Sequence, residues 1–167
     1  MRLRATLALL TAVTGMLVGG VAQAAPAQAS SGEYFEIVND ATNKCADVAD
    51  KSRSSGAIVH QWGCENDDNQ LWASVQLNNG FMILVNQRSG LCMNVRWDDV
   101  IDQQPCDGGN PRRWWRWDLA DWNGHYNLVN GGLTNACLAL VPFSYRNGAT
   151  IKVDDCRAES AQLWHQA

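Results

Sequence analysis

The chain has 167 residues, a formal net charge of −4 and a hydrophobic content of 46%. A net negative balance argues against nucleic acid as the partner, because phosphate contacts need clustered Lys and Arg. Beyond the N-terminus no apolar run reaches the ~18 residues of a membrane span, so no span is expected.

Arg2 and Arg4 begin a basic start, residues 7–18 (LALLTAVTGMLV) are apolar, and Ala22-Gln23-Ala24 and Ala27-Gln28-Ala29 are small-x-small cleavage patterns. Residues 1–29 therefore read as a secretory signal peptide cut after Ala24 or Ala29. A membrane anchor is the competing reading. It fits less well, because the run is short, rich in small residues and has no stop-transfer pattern after it. Removal of Arg2 and Arg4 takes the net charge to −6. Residues 30–167 are expected to form one extracellular, monomeric domain, long enough to bury a core.

Three segments of that domain follow one schedule. Each opens on a short apolar stretch ending in Val-Asn: FEIVN at Asn39, MILVN at Asn86 and YNLVN at Asn130. A Cys follows six or seven residues later (Cys45, Cys92, Cys137), then an aliphatic residue (Val48, Val95, Leu140), a polar turn and a second Cys (Cys64, Cys106, Cys156). Each segment closes on a Trp, read as Trp72, Trp117 and Trp164. This is an internal triplication, with repeats near 34–75, 76–120 and 121–167. The apolar stretches are short, rich in Val, Ile and aromatics, and divided by NNG, DGGN and RNG clusters, which spells strands and turns. No segment after Ala29 sustains helical periodicity. About four strands per repeat gives about twelve, closing into a β-barrel with three-fold pseudo-symmetry and no free edges.

Six cysteines in a secreted chain imply disulfides, and count alone allows 15 pairings. Two cysteines per repeat make within-repeat bridges the economical pattern: Cys45–Cys64, Cys92–Cys106 and Cys137–Cys156. No Cys-x-x-Cys pair or Cys/His cluster supports a metal site, and no cofactor is expected.

The stretch CADV…GAIVHQWGCENDDNQLW resembles the ricin B-type lectin repeat, a β-trefoil carbohydrate-binding module, and the resemblance runs from Tyr34 to the C-terminus. The Gln-x-Trp signature stands at Gln70-Leu71-Trp72 and Gln162-Leu163-Trp164, and in altered form at Trp115-Arg116-Trp117. The resemblance implies an all-β β-trefoil with the signature tryptophans in the core. It also implies sugar-binding positions: an Asp two after the first Cys, an aromatic two before the second, and an Asn before the signature Gln. Such a trio suits a pyranose, which offers paired hydroxyls to a carboxylate and amide and an apolar face to an aromatic ring.

The first repeat has every part: Asp47, Trp62, Asn69 and Gln70, with His60 as a further hydrogen-bonding group. Asp47 alone would read as a turn residue and Trp62 alone as packing. In the second repeat Asn94 replaces the Asp, Gln104 the aromatic and Trp114 the Asn, leaving Trp97 as an alternative platform and Asn94, Trp97 and Gln104 as a second candidate site. The third repeat has lost the trio to Ala139, Asp154 and Ala161.

Residues 112–122 (RRWWRWDLADW) interleave Arg and Trp, which fits a membrane-surface, nucleic-acid or protein-binding patch, although arginines stacked on packing aromatics at a strand edge are the expected reading. His60, His125 and His165 belong to no nucleophile arrangement. The adjacent carboxylates Asp67-Asp68, Asp98-Asp99 and Asp154-Asp155 do not straddle a cleft as glycoside hydrolysis requires. A non-catalytic glycan binder is expected, with a protein-binding trefoil such as a protease inhibitor as the alternative.

Overall fold

The structure is a computed structural model and describes residues 33–167; the signal-peptide reading lies outside the described residues. Twelve strands run in chain order. They are β1 (Phe35–Asn39), β2 (Lys44–Val48), β3 (Val59–Gly63), β4 (Leu71–Gln76), β5 (Met82–Asn86), β6 (Cys92–Val95), β7 (Ile101–Gln104), β8 (Trp115–Leu119), β9 (Tyr126–Asn130), β10 (Ala136–Leu140), β11 (Ala149–Asp155) and β12 (Trp164–Gln166).

Six of them close a ring in which every neighbour is antiparallel: β1 with β4, β4 with β5, β5 with β8, β8 with β9, β9 with β12, and β12 with β1. The other six form three hairpins, β2–β3, β6–β7 and β10–β11, one per repeat. The hairpins meet one another through β3–β11 pairing and through the bridges Ile58–Asp102 and Val100–Lys152. This is the β-trefoil arrangement expected from the triplication, and ring closure leaves those barrel strands no free edge.

Disulfides join Cys45 to Cys64, Cys92 to Cys106 and Cys137 to Cys156, each within its own repeat. Each ties the start of a hairpin to the segment leaving it. β6 and β10 are buried along their whole length, and Ile37, Leu84, Leu128, Met93 and Leu138 belong to one core cluster.

Three tryptophans, Trp72, Trp115 and Trp164, are fully buried in that core. Each donates its indole N–H to a hairpin carbonyl of its own repeat: Trp72 to Ala46 at 3.1 Å, Trp115 to Met93 at 3.2 Å and Trp164 to Leu138 at 3.0 Å. Each also sits opposite the Val-Asn asparagine of the next repeat: Trp72 opposite Asn86, Trp115 opposite Asn130, Trp164 opposite Asn39. The asparagine side chain donates to the carbonyl just before the Trp, at Leu71 (3.3 Å), Trp114 (3.1 Å) and Leu163 (3.1 Å). One clamp thus recurs around the barrel and locks each repeat to its neighbour.

That clamp corrects the expected middle signature. The core residue is Trp115, not Trp117, and the signature register is Arg113-Trp114-Trp115. Trp117 is partly buried, two residues further along β8 on the same face, and packs against the cluster from the side. Even spacing of tryptophans favours Trp117, but the middle repeat is shorter. Its disulfide spans 14 residues against 19 in each of the others.

Candidate functional site

In the first repeat, β2 and β3 pair in a register that sets Asp47 directly opposite His60 and Cys45 opposite Trp62. Asp47 and His60 therefore share one face of the hairpin, as residues directly opposite in a ladder do. Asn69 and Gln70 arrive from the segment just before β4. The backbone N–H of Val48 donates to the Asn69 carbonyl at 3.1 Å, which pins that segment beside β2.

The Asp47 carboxyl is the centre of this cluster and is nearly buried. His60 Nε2 lies 3.1 Å from Oδ1, while Asn69 Nδ2 and Gln70 Nε2 each donate to Oδ2 at 2.8 Å. The amide groups are fixed in turn: Asn69 also donates to the Val48 carbonyl, and Gln70 donates to the Gly63 carbonyl and accepts from the Glu65 N–H. A carboxylate has about four lone-pair positions. Three are used, leaving capacity on Oδ1. The buried Asn69 Oδ1 has no hydrogen-bond partner in the protein.

His60 and Trp62 stack with ring centroids 5.5 Å apart and planes 19° from parallel, and Trp62 is 37% exposed. Asp47, His60, Trp62 and Asn69 line one open cavity of about 300 Å³, as do Asp50, Lys51 and Glu65. Lys51 pairs with Asp67 outside that lining. The hydrogen bond and the charge of the partner push the Lys51 ammonium up and the Asp67 carboxyl down. The site thus offers an unused acceptor position on Asp47 beside an exposed indole, the equipment for binding a hydroxyl-rich ligand with an apolar face.

The structure also brings Asn94, Trp97 and Gln104 to one cavity of about 610 Å³ in the second repeat. Asp102, missed in the sequence, stands opposite Asn94 as His60 stands opposite Asp47. It accepts from Asn94 at 2.8 Å and Gln104 at 2.6 Å. The register correction changes the remaining wall: Arg112, not Trp114, holds the place of Asn69, and Arg113 that of Gln70. Trp114 faces elsewhere, stacked on Phe81 and donating to the Gly108 carbonyl. In the third repeat Ala139 lies opposite Lys152 and Cys137 opposite Asp154, so neither a central carboxylate nor an aromatic is present.

Sequence reading also missed Gln61 and Gln103. Both are buried and reach across repeats, Gln61 to the carbonyls of Ser144 and Arg146 and Gln103 to those of Ser52 and Ser54. Their shared position, three residues before the second Cys, was the available signal. Among metal-type groups, Glu36 lies near Cys45 and Cys64, but both thiols are in a disulfide. In residues 112–122, Arg112 lies on Trp97 and Arg116 lies on Phe81 and pairs with Asp118, while Leu119 and Trp122 are exposed. No helix among the described residues is long and apolar enough to cross a membrane.

The chain's residues 23–102 match the family model described as ricin-type beta-trefoil lectin domain-like. The designed three-fold symmetric protein ThreeFoil is 30% identical, with a TM-score of 0.73 over 80% of this chain and 97% of that one. The chain belongs to the ricin-type β-trefoil lectin-like family. The C-terminal half of the earthworm R-type lectin, solved with GalNAc, shares the fold at 18% identity, with a TM-score of 0.66 over 80% of this chain and 97% of that one. An exo-β-1,3-galactanase from Clostridium thermocellum shares it at 23% identity and a TM-score of 0.72 over 80% of this chain, which spans only 30% of that enzyme. Comparison with curated protein sequences finds no match.

Proposed function

We propose that this protein is a non-catalytic carbohydrate-binding protein that works outside the cell and holds a neutral glycan mainly through its first repeat. The observation that carries the reading is the Asp47 carboxyl, fixed by His60, Asn69 and Gln70 beside the exposed indole of Trp62. A hydroxyl of a pyranose donates to the free capacity of Asp47, and its C–H face lies on Trp62. The family supports the ligand class, and the earthworm relative was solved with GalNAc. Three disulfides fit an oxidising compartment. A single site for neutral glycans predicts modest affinity without the avidity of repeated sites.

A glycan array probed with the oxidised protein tests this reading. Wild type is expected to bind one class of neutral glycan, and Trp62→Ala, which alters only a half-exposed ring, to lose that signal. Retention by Trp62→Ala would place the binding elsewhere.

A further inference from the structure

The second-repeat cavity has the fold position of the first-repeat site but the opposite charge. Asp47 becomes Asn94, Asn69 becomes Arg112 and Gln70 becomes Arg113. The first cavity is lined by Asp47, Asp50 and Glu65 against Lys51. The second is lined by Arg96, Arg112 and Arg113 against Asp98 and Asp102. The two carboxylates are already engaged: Asp102 by Asn94 and Gln104, and Asp98 by Arg96 at 3.2 Å.

Arg112 is positioned from two sides. Its guanidinium lies 4.3 Å from the Trp97 ring centroid and donates to the Arg96 carbonyl at 2.9 Å. Arg113 is the unusual member. Its side chain is only 14% exposed, its Nε is buried without a partner, and its nearest carboxylate is the largely exposed Asp107 at 3.9 Å. A buried guanidinium left this short of acceptors is costly unless an anion satisfies it. The other conspicuous side chain is Trp97, which is 90% exposed at the same cavity. It offers a pyranose face a platform already backed by a cation.

We infer that the second repeat binds an acidic saccharide, a uronate, with its carboxylate on the Arg113 guanidinium and its ring on Trp97. A planar carboxylate matches the two-pronged donor geometry of guanidinium, whereas a neutral sugar leaves Arg113 unsatisfied. The inference shares with the proposed function only the premise that this fold takes saccharides. It needs none of the first-repeat residues.

The test is calorimetric titration of the oxidised protein with galacturonate and glucuronate trisaccharides, each beside its methyl ester, and with a sulfated trisaccharide. At least one uronate is expected to bind, with its ester weaker by about tenfold or more, the loss of one charge-assisted contact. Arg113→Gln is expected to abolish that binding while folding normally, since Gln70 and Gln162 occupy this position in the other repeats. Trp97→Ala, at an exposed ring, is expected to weaken it as well. Asp47→Ala is expected to keep uronate binding while losing neutral glycans, which separates the two sites. Equal binding of acid and ester, binding of the sulfated sugar alone, no binding of either uronate, or an unaffected Arg113→Gln would overturn the inference. Failure of neutral glycans alone would overturn only the first-repeat reading.

Discussion

Asp47 joins residues from three stretches of the first repeat, so its removal has two separable consequences. Asp47→Ala takes the shared acceptor from Asn69 and Gln70, although each keeps a backbone carbonyl. The expected stability loss is about 1–2 kcal/mol, measured by denaturant unfolding. Binding should fall below detection in the same variant. The tryptophans give a second residue-scale prediction. Trp115→Ala should cost roughly 3–5 kcal/mol, as expected for a fully buried aromatic, and Trp117→Ala clearly less, because that ring is only partly covered. Equal losses would contradict the corrected register. A third prediction concerns His125, whose Nδ1 lies 2.7 Å from Asp121. The hydrogen bond to Asp121, with its charge, raises the His125 pKa, and His125 together with local N–H donors lowers that of Asp121. The raised histidine contributes stability that is lost as pH rises through its folded value; the lowered carboxyl contributes stability that is lost as pH falls through its own. An NMR titration should therefore place His125 above the ordinary value of about 6.5, and Asp121→Asn should return it there.

At the scale of elements, each hairpin is held by its disulfide at the base and by the Trp indole from the core. The middle disulfide closes the shortest loop. Replacing Cys92 and Cys106 together by Ser should cost about 3 kcal/mol in the chain-entropy picture, read as a lower denaturation midpoint with the candidate site of the first repeat intact. The repeats were legible because their signals are local: the Val-Asn endings fall on β1, β5 and β9, and the paired cysteines on the bridges of the hairpins, as expected. That the candidate residues of the first repeat would meet was legible for the same reason. Asp47, Trp62, Asn69 and Gln70 sit at fixed distances from their own cysteines. The second repeat was not, because its shortened loop and extra tryptophans make spacing ambiguous. Only the ladder Trp115–Asn130 and the clamp from Asn130 to the Trp114 carbonyl settle it. Gln61 and Gln103 share a place three residues before the second Cys, but the partners that give that place its meaning lie far along the chain.

At the scale of the molecule, three repeats share one core, but their outer sites have diverged. One keeps an acidic, carboxylate-centred cavity, one has become basic, and one has lost its central carboxylate and aromatic. The barrel residues are bound by the clamp that joins each repeat to the next, whereas the hairpin faces are free of that constraint and carry the differences. That division rests on the claim that the first repeat is the neutral sugar site. The most direct measurement is a glycan array read in parallel with wild type and Asp47→Ala, both verified as folded and oxidised. Wild type is expected to bind a neutral glycan and Asp47→Ala to bind none. A folded wild type that binds no neutral glycan, or an Asp47→Ala variant that binds as well as wild type, would contradict that claim.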